Sequence, residues 1–423
     1  MQRLIILAIL VIALLSACAQ ADQQITPMEP LTTTLQEPGS GGNSTVSPAL
    51  SSTPEPTNTN VPATPTVLPS ETPTAEPEIT SSWVVYTGKD DNIWLVDSAI
   101  GENRQITKDA VSLDASLKSG EPLMRYCCAS WSPDGQQLVF QQETGIPLQS
   151  GFDTSFDLLL YDIASGKSTH LIEDELISGY AWRPGGITIA YGRSIPTEYF
   201  INRSPEMAQG IWAVNAKTGE KFELVKPERG LALSNPQWSP DGRFLSFEEV
   251  ENMEGRGQFA YYDLKNQEYV AWDDVIGSYD WSPAGEQIAY DRLPWIPIGG
   301  ERIWLRDRQE GEESAVTQQL DPGYAFKPQF SPDGDWLAYI AELKRPESQQ
   351  ITIFVQKAPD GEPQNLGTFE QAGYLSWASD GTALLLTAGD YENRQILQLD
   401  PVTGESKVLA QGSQADWQPI PSP

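Results

Sequence analysis

Histidine is almost missing from this chain. A single imidazole, His170, serves 423 residues. Chemistry that relies on several histidines, at a metal or as general bases, is therefore disfavoured. His170 lies between Thr169 and Leu171 in an expected strand and reads as an exposed strand residue. Positive charge is scarce: 27 Lys and Arg stand against 58 Asp and Glu, a formal net charge of −31. Such a surface repels nucleic acid phosphates and anionic headgroups, so no nucleic acid partner is expected. The longest apolar run, Leu4 to Leu15, is too short to span a bilayer. No stretch of helical periodicity follows it. There is no Gly-x-Ser-x-Gly elbow, no phosphate-cradling glycine loop and no EF-hand spacing. No cofactor or metal is expected.

What is abundant is a repeat. Ser130-Trp131-Ser132-Pro133-Asp134-Gly135 is followed by the apolar run Leu138-Val139-Phe140. The pattern returns at Trp238, with Ser239-Pro240-Asp241-Gly242, and around Trp281, Phe330 and Trp377, with a weaker form at Trp182. Pro fixes φ for the second position of a type I turn, Asp tolerates the third and Gly suits the fourth. The runs that follow are too short for helices and rich in β-branched or aromatic residues, so they read as strands. A third strand follows each time, for example Leu158 to Asp162, then a turn such as Ala164-Ser165-Gly166-Lys167 and a fourth strand. Four antiparallel strands recurring every 40–55 residues or so make the blade of a propeller.

The chain ends supply complementary fragments. Trp83 to Tyr86, Ile93 to Asp97 and Arg104 to Thr107 match the second, third and fourth strands of a blade whose first strand is missing. Ser413 to Pro419 carries a first strand with its aromatic, Trp417, and nothing after it. Pairing the two closes a ring and removes an open edge. The expected fold is all-β, a seven-bladed propeller over residues 81–423. Its units resemble the TolB-type propeller repeat, with their aromatic-Ser-Pro-Asp-Gly turns. Arg183-Pro184-Gly185-Gly186, Ser282-Pro283-Ala284-Gly285 and Ala378-Ser379-Asp380-Gly381 depart from that pattern. No counterpart of the separate N-terminal domain of TolB is seen, so its partners do not transfer.

Residues 1–17 read as an export signal, with Arg3 ahead of the apolar run. Leu15-Ser16-Ala17-Cys18 resembles the bacterial lipobox, which implies cleavage before Cys18 and acylation of its sulfur. The expected location is outside the cytoplasmic membrane, held to the bilayer by that lipid. Residues 18–80 are rich in Pro, Thr, Ser and Glu and cannot bury a core. They are expected to form a disordered stalk, spanning about 45 Å as a coil and up to about 190 Å as polyproline II.

Four long connections stand out: Glu143 to Phe156, Arg193 to Gln209, Arg292 to Gly300 and Lys108 to Arg125. Their aromatics Phe152, Tyr199, Phe200 and Trp295, with Arg193, Arg203 and Arg292, suit a protein, peptide or glycan contact. Equally, such loops fold back over their own aromatics. Cys127 and Cys128 are adjacent, just before the Trp131 turn. A disulfide between neighbours is a strained small ring, so two thiols are expected, with a vicinal disulfide as the alternative. The functional expectation is a monomeric, non-catalytic docking module of the cell envelope. The alternative is a glycan hydrolase or lyase using carboxylates at the channel mouth.

Overall fold

The computed structural model describes residues 83–148, 152–193, 195, 208–250, 257–292, 302–317, 323–343, 350–390 and 393–419. All the described strands belong to one compact unit. In chain order they are β1 (Trp83–Gly88), β2 (Ile93–Asp97), β3 (Asn103–Gln105), β4 (Leu123–Trp131), β5 (Gln137–Pro147), β6 (Phe152–Asp162), β7 (Lys167–Ile172), β8 (Ile177–Trp182) and β9 (Thr188–Arg193). There follow β10 (Ile211–Asn215), β11 (Lys221–Val225), β12 (Ala232–Trp238), β13 (Phe244–Val250), β14 (Gly257–Asp263), β15 (Glu268–Trp281), β16 (Gln287–Arg292), β17 (Arg302–Asp307) and β18 (Glu313–Ala315). The last are β19 (Tyr324–Phe330), β20 (Trp336–Glu342), β21 (Gln350–Lys357), β22 (Gln364–Glu370), β23 (Ala372–Trp377), β24 (Leu384–Ala388), β25 (Gln395–Leu399) and β26 (Ser406–Trp417).

The strands pair antiparallel in chain order. Three sheets have four strands: β4 to β7, β8 to β11 and β19 to β22. Two have seven, β12 to β18 and β23-β24-β25-β26-β1-β2-β3. Each of the larger sheets contains one long strand that serves two neighbours. The 14-residue β15 pairs with β14 through its first part and with β16 through its last. The 12-residue β26 pairs with β25 and then with β1, placing Val84 opposite Trp417 and Val85 opposite Asp416. The pairing inferred from the two chain-end fragments is thus present.

The repeated turn owes its shape to a buried serine. Ser239 Oγ donates to Asp241 Oδ1 at 2.6 Å and accepts from Phe244 N at 2.9 Å, so one hydroxyl ties both ends of the hairpin. Ser132 and Ser331 repeat these bonds, and Gly135, Gly242 and Gly334 close the turns at positive φ. The departing turns keep the same closure: Gly285 N reaches Ser282 O at 2.8 Å and Gly381 N reaches Ala378 O at 2.9 Å.

The core lies between neighbouring four-strand units. Val139, Leu158 and Leu160 pack on Trp182, Ile189 and Tyr191 of the next sheet. Tyr126, Trp131 and Phe140 pack on Val85, Ile93 and Leu95. Among the described residues seven such clusters occur, each joining neighbouring four-strand units.

Two expected loops are ordered instead. Glu143 to Phe156 belongs mostly to a hairpin, since β5 and β6 stay paired from Gln137–Asp162 out to Pro147–Phe152. Polar residues at its end masked a strand pattern that the backbone pairing continues. The connection from Lys108 to Arg125 holds the start of β4 and a seven-residue helix, α1 (Leu113–Ser119), capped by Ser112 and ended by Gly120 at φ 78°.

Candidate functional site

Seven strands open the four-strand units: β4, β8, β12, the end of β15, β19, β23 and the end of β26. Each finishes on the motif aromatic, at Trp131, Trp182, Trp238, Trp281, Phe330, Trp377 and Trp417. Each also carries one extra residue relative to its partner strand, a few positions before that aromatic. Such a bulge re-aims side chains and sharpens the local twist. Five of them put the residue three before the aromatic at positive φ: Cys128, Gly179, Asn235, Lys327 and Gln414.

These strands touch one another through polar side chains. Asp280 Oδ2 accepts from Phe330 N at 2.7 Å, one sheet to the next. Asp416 Oδ2 accepts from Trp131 N at 3.0 Å and Ser130 Oγ at 3.2 Å. Gln414 Oε1 accepts from Cys128 N at 3.1 Å. The Tyr180 hydroxyl donates to Cys128 O, and Lys327 Nζ donates to Gly373 O. Trp238 Nε1 donates to Ala181 O at 3.2 Å and Trp377 Nε1 to Gln329 O at 3.0 Å. Side chains at the aromatic and at one, two or three positions before it therefore tie neighbouring sheets.

Burial raises the carboxyls here. Burial pushes Asp280 from 3.8 up to about 7, against the opposing bonds from Phe330 N and Trp281 N. Burial likewise lifts Asp416 to about 6 and Glu248 to about 7, the latter opposed by Asn235. Asp291 is raised by burial and held back by Ser278. Three carboxyls able to exchange a proton near neutrality thus lie on these strands or next to them, a pattern associated with acid–base chemistry. In sequence they were single polar residues among many carboxylates, and only the spacing to the aromatic set Asp280 and Asp416 apart.

The residues singled out in the long loops are placed differently. Phe152 begins β6 opposite Pro147. Arg193, at the end of β9, pairs with Glu175 and stacks on Trp212 at 5.1 Å. Arg292, at the end of β16, holds Glu313 at 2.9 Å and lies over Trp304 at 4.9 Å. Both arginines fold back on their own sheets. Tyr199, Phe200, Arg203, Trp295 and Cys18 lie outside the described residues. His170 sits on β7 with Nδ1 3.1 Å from Asp157 Oδ2. It borders a cleft of about 540 Å³ together with Thr107, Lys108, Asp109 and Tyr126. Among the described residues no group of three or more His, Cys, Asp or Glu is placed to hold a metal ion.

Over 204 residues the chain is 26% identical to an uncharacterized peptidase, YuxL, of Bacillus subtilis, a match covering 38% of this chain and 29% of the relative. Over 217 residues it is 23% identical to dipeptidyl-peptidase 5 of Porphyromonas gingivalis, covering 43% of this chain and 30% of the relative. These matches span less than a third of either relative's length. No family model matches. An oligogalacturonate lyase solved with manganese superposes with a TM-score of 0.55 at 15% identity, over 79% of this chain and 85% of that one. The fold is a β-propeller. TolB from Acinetobacter baumannii is also among the similar structures, with a TM-score of 0.47 at 16% identity over 78% of this chain and 79% of that one. A prolyl endopeptidase superposes on the propeller with a TM-score of 0.57 at 12% identity, over 79% of this chain and half of that one.

The peptidase relatives correct one expectation. Read from the sequence, the propeller was a non-catalytic docking module. Two curated relatives detected by sequence are named peptidases, and they point to an enzyme. A shortage of histidine bears on one kind of chemistry only.

Proposed function

We propose that this chain is the propeller of an enzyme that acts on peptides. The observation that carries the reading is the pair of curated peptidase relatives, each matching over 200 residues or more. In this reading the propeller has seven blades in a ring. That count is supported by seven first strands each ending on its aromatic, by seven core clusters between neighbouring units, and by the β1–β26 pairing. The first strands then line a central channel. Their polar side chains and bulged backbone offer donors and acceptors to an extended peptide, whose own backbone needs such partners once it leaves water. Asp280 and Asp416 on the first strands, and Glu248 on β13 beside them, can take or give a proton near pH 7. The protein is exported, acylated at Cys18 and lifted from the bilayer by residues 18–80.

The test is peptide turnover by the full chain. The purified protein is incubated with a mixed peptide library between about pH 5 and 8, and products are read by mass spectrometry. Cleavage is expected, with a pH dependence that shifts when Asp280, Asp416 or Glu248 is replaced by its amide. Absence of both cleavage and peptide binding across the library would sink the reading.

A further inference from the structure

An inserted residue breaks the alternation of side chains across a strand, so neighbours in sequence can share a side. In β4 the bulge falls between Cys127 and Ser130, and the neighbours there are Cys127 and Cys128. A side-chain hydrogen bond couples the two thiols. Both residues are unbridged and partly exposed. Cys128 holds φ 63°, a left-handed conformation that is unfavourable for a non-glycine residue. It is kept there by two bonds from other sheets. Its N–H donates to Gln414 Oε1 of β26 at 3.1 Å, and its carbonyl accepts from the Tyr180 hydroxyl of β8. The hydrogen bond from Cys127 lowers the pKa of Cys128, with Gln414 helping, while the same bond and burial push Cys127 well up. Of the two thiols, Cys128 is thus the more readily deprotonated.

We propose that Cys127 and Cys128 form a thiol–disulfide couple, a modification site on the first strand of its blade that is oxidised by small-molecule disulfides. The Cys128 thiolate attacks one sulfur of the incoming disulfide, breaks its S–S bond and releases one thiolate, leaving a mixed disulfide on Cys128. Cys127 then gives up its proton and attacks the Cys128 sulfur, expelling the second thiolate. The two protons lost by the pair end on the two departing thiolates. The pair has lost two electrons and the small disulfide has gained them. Closing so small a ring turns the Cys127–Cys128 peptide, and the bonds that Cys128 makes to Gln414 and Tyr180 must change with it. Oxidation therefore loosens or re-sets β4 against both of its neighbours. A ring strained in this way is readily reduced again.

The experiment uses the full chain, reduced, freed of reductant and incubated with oxidised glutathione. The reaction is quenched in acid, the protein is denatured and alkylated with N-ethylmaleimide, and the peptide holding both cysteines is weighed. The expected peptide is lighter by two hydrogens, takes no label, and takes two labels after treatment with reduced glutathione. Cys127→Ser is expected to stop at a glutathione adduct on Cys128. Two labels on the oxidant-treated protein, a stable glutathione adduct on the unaltered pair, or a bridge to Cys18 or to a second chain would each overturn the proposal.

Discussion

Replacing Asp280 with asparagine separates charge from hydrogen bonding on the first strands. Asp280 lies just before Trp281 and receives Phe330 N from the neighbouring sheet at 2.7 Å. Burial carries its carboxyl from 3.8 to about 7. The unfolded chain releases this proton near 3.8, whereas the folded chain keeps it to about 7. The resulting stabilisation is complete below about pH 4 and is lost as pH rises towards 7. Converted at about 1.4 kcal/mol per pH unit the difference is a little over about 4 kcal/mol, and partial exposure of the side chain reduces it to about 1–3 kcal/mol. Asparagine keeps an acceptor for Phe330 N and cannot ionise. The variant should match the parent within about 1 kcal/mol near pH 4 and exceed it by about 1–3 kcal/mol near pH 8. Urea unfolding followed by tryptophan fluorescence at several pH values reads this directly. Asp280→Ala should instead lose about 1–3 kcal/mol at every pH, because it leaves Phe330 N without a partner. A stability difference between Asp280→Asn and the parent that stays flat from pH 4 to 8 would refute the assignment of a buried, proton-holding carboxyl.

Two further expectations concern the chain ends. Trp417 is buried against Val84, Tyr86 and Leu409, so Trp417→Ala should cost about 3–5 kcal/mol and lower the urea midpoint; a loss under about 1 kcal/mol would mean that the β1–β26 pairing contributes little to the fold. Cys18→Ser should move the expressed protein from the detergent phase to the aqueous phase in a detergent phase separation, and unchanged partitioning would remove acylation at Cys18 from the account.

How much of this was legible varied with the kind of interaction. The turns were readable because Pro, Asp and Gly each fix a backbone angle locally, and Ser239, Asp241 and Gly242 perform those local roles. The pairing of Val84 with Trp417 was readable because each end lacked what the other supplied. The bulges were not. One inserted residue leaves a short strand's composition unchanged, and nothing marks Cys128, Asn235 or Lys327 as left-handed before the neighbouring sheets are in place. Arg193 and Arg292 looked like free contact residues because their partners, Glu175 and Glu313, are 18 and 21 positions away. Asp280 and Asp416 were invisible as a pair, since 136 residues separate them and only the succession of sheets gives them equivalent places.

The long strands β15 and β26 impose an asymmetry. Where four-strand units are joined by ordinary connections, the chain has slack to take up a displacement. Along β15 and β26 the backbone runs from the last strand of one unit straight into the first strand of the next, hydrogen-bonded on both sides of the passage. A pull on either unit is passed on without a loop to absorb it. Any widening between units must therefore concentrate at the other junctions, among them the gap between β4 and β8 that the Tyr180 hydroxyl bridges.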